Sequence, residues 1–219
     1  MEEIFVSQYK EIRNKLRPFD LIFFKGTNFM DKYNSKSNKF SHVGLIVTAD
    51  ILEHPNIKKG KVYLWDATSI SHIDMNNIDN KPFIGTQLRD LDELIPKYLN
   101  IKDVKIAVAP LLNNHNYKDR KDEFTQIFRK YNNIPYHTDE KSIIDQICPC
   151  LRKMPLIQNF IPSNLRCISC SELVAIVYRE LHIFPIDVKP KDILPMDFLG
   201  TESKKIPVVN YIPVMYIKI

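Results

Sequence analysis

The stretch Arg166–Phe184, RCISCSELVAIVYRELHIF, decides how the rest of the chain is read. Leu173, Ile176, Val177, Leu181 and Phe184 recur at i, i+3, i+4 spacing, which predicts a helix with an inward apolar face. Ser169 and Glu172 form the S-x-x-E pattern of a capping box, so Ser169 is the expected cap and Cys170 the first helical residue. There the sulfur lies near backbone N–H groups that have no partner inside the helix. The positive end of the helix dipole favours thiolate over thiol, and thiolate is the nucleophilic form. The same amides suit an oxyanion formed when a carbonyl is attacked. A buried cysteine that merely packs as a small apolar residue is the competing reading of this position.

A cysteine nucleophile needs a base, and the base needs a group to orient it. Among six histidines, His42 opens the apolar run "SHVGLIVT" (41–48), next to Gly44, where another group can approach the backbone closely. A side chain at the start of a strand is held rigidly and can still face a cleft. His54, His72, His115, His137 and His182 fall in loops or at helix ends with no such framing. "KVYLWDATS" (61–69) places Asp66 near the end of the following strand. A carboxylate there can accept the second ring N–H of His42, fixing the tautomer and favouring the imidazolium. As a bland alternative, Asp66 is a turn residue at a strand end.

Taken together, "DLIFF", "SHVGLIV", "YLWDATS" and the late "CSELVA" resemble the circularly permuted papain-like branch of the NlpC-type cysteine hydrolases, the YiiX/YaeF-like group with poxviral and giant-virus members. In that branch the histidine strand precedes the cysteine helix, the order found here. The similarity extends in patches over roughly residues 18–200, through "GTQL" (85–88), "NIPY" (133–136) and "LPMDFL" (194–199). It implies an α+β, permuted papain-like fold, an antiparallel sheet or small barrel packed against the nucleophile helix. It further implies Cys170 as nucleophile, His42 as general base and acid, and Asp66 as the orienting residue. Glu is frequent in the family where this chain has Asp66. The implied activity is amide or peptide hydrolysis through a thioester, with lipid ester cleavage or acyl transfer on the same residues as the alternative. The expected partner is an amide- or ester-containing substrate: a peptide, a protein or a lipid. Gln87 and Tyr136 are candidates to line the cleft. The resemblance implies no metal and no organic cofactor.

The remaining sequence fits this frame. The 219 residues are 44% apolar and 26% charged, with a net charge of +5, which suits one soluble globular domain over 1–219. The charge is spread along the chain without a basic stripe interleaved with aromatics, so nucleic acid is not an expected partner. Residues 1–20 mix acidic and basic side chains before any apolar run develops, unlike a signal peptide. No run reaches the ~20 apolar residues of a membrane span. A cytoplasmic or virion-associated location is therefore expected.

Residues 3–16 read as an amphipathic helix. Segments 20–25, 41–48, 61–69, 83–90 and 103–110 read as strands. "DLDELIPKYL" (90–99) reads as a short helical turn and 117–133 as a helix. About 134–166 is an irregular, proline-rich insertion with a helix near 141–147, and the tail supplies one or two strands. Substrate specificity is expected from loop 68–82 and from that insertion.

A different chemistry competes for the same sulfurs. Cys148-Pro-Cys150 and Cys167-Ile-Ser-Cys170 are two close pairs, the ligand arrangement of a four-thiolate zinc site. Such a site would make the protein a binding or structural module. Cys167 is also a conceivable redox partner of Cys170. A third reading keeps the fold and drops the chemistry: an inactive homologue that binds a lipid or peptide in the cleft.

Overall fold

A computed structural model describes residues 5–25, 40–68, 84–101, 104–111, 117–136, 167–199 and 215–218. It is an α+β structure built on one seven-stranded sheet. The strands are β1 (Phe5–Gln8), β2 (Leu21–Lys25), β3 (His42–Thr48), β4 (Val62–Thr68), β5 (Gly85–Asp90), β6 (Lys105–Ala109) and β7 (Met215–Lys218). Their spatial order is β1-β7-β6-β2-β3-β4-β5. The six strands from β7 to β5 pair antiparallel, and β1 adds to β7 in parallel. Among the described residues no ladder joins β5 to β1, so the sheet is open where a small barrel was one expectation.

Strands β2 to β5 are buried along nearly their whole length. That pattern marks a sheet covered on both faces. Leu21, Phe23, Val43, Leu45, Val47, Tyr63 and Trp65 share one core with α3 (Lys121–Tyr131) and α4 (Cys170–Glu180). The alternating residues Ile22, Phe24, Ile46, Val62, Leu64, Ile106 and Val108 form the other, with Ile12 of α1 (Tyr9–Arg13) and Leu91, Leu94, Ile95 and Tyr98 of α2 (Leu91–Leu99).

Two expectations need correction. The helix anticipated over 3–16 is only five residues long, because Phe5–Gln8 pair with Met215–Lys218 instead. The helical turn expected at 90–99 is a full nine-residue helix, with the Asp90 side chain accepting from the Asp92 amide at 2.9 Å. The helix expected near 141–147 and most of the expected insertion lie outside the described residues.

Helix α4 starts as its sequence predicts. The Ser169 hydroxyl accepts from the Glu172 amide at 3.3 Å, and the Glu172 carboxylate accepts from the Ser169 amide at 3.5 Å. Every residue from Cys170 to Tyr178 is buried. The sheet covers one side of the helix, and the chain around Pro190–Asp192 covers another. There the Ser171 hydroxyl donates to the Ile193 carbonyl at 2.7 Å. The Tyr178 hydroxyl donates to the Phe19 carbonyl at 2.7 Å and ties the helix to the turn before β2.

Candidate active site

His42 is the first residue of β3 and Cys170 the first residue of α4. Asp66 lies in β4, on the face of the sheet that carries Leu64. Its Oδ2 accepts from His42 Nε2 at 2.7 Å. With Nε2 engaged, Nδ1 is the ring nitrogen left for a second partner, and Cys170 lies close enough to the ring to act on it. The three side chains form one line, Asp66 to His42 to Cys170. Exposure falls inward along it: Cys170 is 5% exposed, His42 4% and Asp66 0%.

The local sequence makes this line possible. Gly44 follows His42 by two residues and so shares its face of the strand. A methyl group added at Gly44 would stand 2.9 Å from Asp66 Cβ and 2.5 Å from Leu64 Cδ1. The missing side chain leaves room for the carboxylate to reach diagonally to the imidazole. Phe24, paired with His42 in the β2–β3 ladder, packs its ring 5.8 Å from the imidazole, centroid to centroid.

Electrostatics favour the charged forms of the His42 ring and the Asp66 carboxylate. Burial by itself would lower the pKa of the His42 ring. Cys170 and the Asp66 carboxylate outweigh burial and push it up to about 10. Burial would raise the Asp66 carboxyl, but the Arg89 guanidinium and the His42 ring hold it below the usual carboxylate range. The sulfur additionally sits at the positive end of α4, whose first amides have no acceptor within the helix.

Sequence reasoning missed Arg89. It lies in β5, is 1% exposed, and ion-pairs through Nη2 with Asp66 Oδ2, the oxygen that also serves His42. Its signal becomes visible only with the strand register, which sets Gln87 opposite Asp66 and Arg89 opposite Leu64. Gln87 and Arg89 therefore share the face of Asp66.

The two proposed lining residues fall near the site. Gln87 is buried in the ladder beside Asp66. Tyr136 bridges Ile168, two residues before Cys170. The other histidines are elsewhere or outside the described residues. His54 accepts from the Asn56 amide at 3.3 Å and packs edge-on to Phe128. His182 is exposed, with a left-handed φ of 55° just after α4. His72, His115 and His137 lie outside the described residues.

Cys148 and Cys150 lie outside the described residues. Ile168 forms a bridge with Tyr136, and Ser169 is extended with φ −87° and ψ 168°. No disulfide joins Cys167 and Cys170. Among the described residues no three His, Cys, Asp or Glu side chains group as a metal site. Among them, too, no helix is long and apolar enough to cross a membrane.

No model of a known protein family matches the chain, and no curated protein is significantly similar to it. What the site can do must therefore be argued from its chemistry.

Proposed function

We propose that the protein is a cysteine hydrolase of permuted papain-like type, acting on an amide or peptide bond through a thioester. The observation that carries this reading is the position of the His42 ring, whose Nε2 donates to Asp66 at 2.7 Å and on which Cys170 also acts. In this mechanism the Cys170 thiolate attacks the substrate carbonyl carbon, forming a C–S bond and an oxyanion. The amide of Cys170 at the start of α4 donates to that oxygen. His42 gives its proton to the leaving amine as the C–N bond breaks, which leaves an acyl-thioester and a neutral imidazole. Water then attacks the thioester while His42 takes its proton, and the C–S bond breaks to return the thiolate. Asp66 stays ionised throughout and keeps the ring in the productive tautomer. Ester substrates fit the same steps, with His42 protonating the leaving oxygen so that an alcohol departs.

The test is a panel of thiol-directed electrophilic probes with amide-, ester- and lipid-type recognition groups. Labelling of the wild type, lost in Cys170→Ala and strongly slowed in His42→Ala, is the expected result. Equal labelling of Cys170→Ala overturns the assignment of the nucleophile. Stoichiometric zinc in the purified protein, lost on mutating Cys148 or Cys150, would replace the hydrolase by a metal-stapled module.

A further inference from the structure

Resting on the hydrolase reading, we propose that Arg89 is a positioning residue whose charge balances the buried proton line and fixes the rotation of the Asp66 carboxylate. Three observations carry this. First, Arg89 and Asp66 are 1% and 0% exposed, so neither charge has water to solvate it. Second, the guanidinium and the His42 ring converge on one oxygen, Oδ2, while Oδ1 has no hydrogen-bond partner among the described residues. An acceptor held from two directions cannot rotate about its Cβ–Cγ bond without breaking both contacts. Third, in the charge state that the proposed mechanism uses, the groups alternate in sign. Cys170 as thiolate, His42 as imidazolium, Asp66 as carboxylate and Arg89 as guanidinium sum to zero.

Among the described residues, the ionisable groups facing this line are His42 from β3, Asp66 from β4, Arg89 from β5, Cys170 from α4 and Tyr98 from α2. Tyr98 acts on the guanidinium as well. Without Arg89 the remaining three charges sum to minus one in a buried place. Burying a net charge is costly, so the cluster then binds a proton more tightly. The thiolate–imidazolium pair consequently forms only at higher pH. Arg89 touches no substrate in this scheme and acts on the sulfur through Asp66 and His42.

The test follows thiolate formation with pH, by ultraviolet thiolate absorbance and by the rate of alkylation with iodoacetamide. Wild type, Arg89→Gln and Arg89→Lys are compared, with Cys170→Ala subtracted as the blank. The expected result is an upward shift of the acid limb by about one pH unit in Arg89→Gln. Arg89→Lys, which keeps the charge, stays near the wild-type profile. If Arg89 merely supports packing, both variants lower the melting temperature and neither moves the acid limb, which overturns the inference. Should Arg89→Gln fail to fold, the Arg89→Met variant and the Lys profile decide the same question. A wild-type Cys170 that titrates as an ordinary thiol overturns the hydrolase reading itself. A wild-type acid limb that Arg89→Gln leaves in place overturns only the role of Arg89.

Discussion

Gly44 and Asp66 lie side by side in neighbouring strands with no room between them for one added carbon. Gly44→Ala therefore drives its new methyl into Leu64 and Asp66. Overpacking of this kind costs about 1–3 kcal/mol. The displaced carboxylate also loses its hold on His42. Urea unfolding reports the first effect and the rate of Cys170 labelling the second. A variant as stable and as reactive as the wild type would show that the close approach has no role.

Asp66→Asn removes the charge between two buried cations. The guanidinium of Arg89 is left without its counter-ion, and breaking a buried pair in this way costs about 3–5 kcal/mol. Probe labelling should slow by about 10²-fold or more, since the imidazolium loses its acceptor charge. The double variant Asp66→Asn/Arg89→Gln should be more stable than Asp66→Asn alone, because it no longer buries an unpaired charge. Additive losses in a double-mutant cycle would mean that the two residues do not interact.

His42 makes stability depend on pH in one direction. Its ring rises from an unfolded value of 6.5 to about 10 in the folded protein, against burial and through Cys170 and Asp66. A raised pKa means that the folded state binds the proton more tightly. Its contribution is therefore full below about 6.5 and fades as the pH climbs through about 10. The difference in unfolding free energy between wild type and His42→Gln should shrink steadily over this window. A difference that stays flat across it contradicts the charged ring.

The turn before β2 is pinned by Asp20. Its Oδ2 accepts from the Arg17 amide at 2.8 Å and its Oδ1 from the Leu111 amide at 2.9 Å. An asparagine has one acceptor oxygen and satisfies one of these amides at most. Asp20→Asn should lower stability by about 1–3 kcal/mol, the penalty for a buried donor left unsatisfied. The midpoint of urea unfolding checks it, and an unchanged midpoint would assign these contacts to solvent.

Much of this architecture is local enough to be read along the chain. Short apolar runs such as Leu21–Lys25 and Lys105–Ala109 read as strands because they are too short for a helix and rich in β-branched or aromatic residues. The capping box at Ser169 and Glu172 marks its helix start without reference to the rest of the molecule. His42 and Asp66 were legible as a pair because adjacent strands bring their ends together. What failed was long-range. Phe5–Gln8 carry a helical pattern, yet their partner strand is Met215–Lys218, and no neighbouring residue signals it. Arg89 looks like a solvated charge until the register of β4 against β5 turns it toward Asp66. Local spacing cannot report a contact that depends on which residue of one strand meets which of another.

The edge of the sheet beyond β5 is extended by residues that belong to no strand. The Thr86 amide donates to the Ile134 carbonyl at 2.8 Å, the Tyr136 amide to Ile84 at 3.2 Å, and the Ile168 amide to Pro135 at 3.1 Å. The segment that delivers the sulfur is thus stitched to the strand that delivers the guanidinium, so fraying of this border would pull apart both ends of the proton relay in one event. Warming should then silence the thiol at the temperature where amide hydrogens of Thr86, Tyr136 and Ile168 begin to exchange together, while the buried middle of the sheet is still intact.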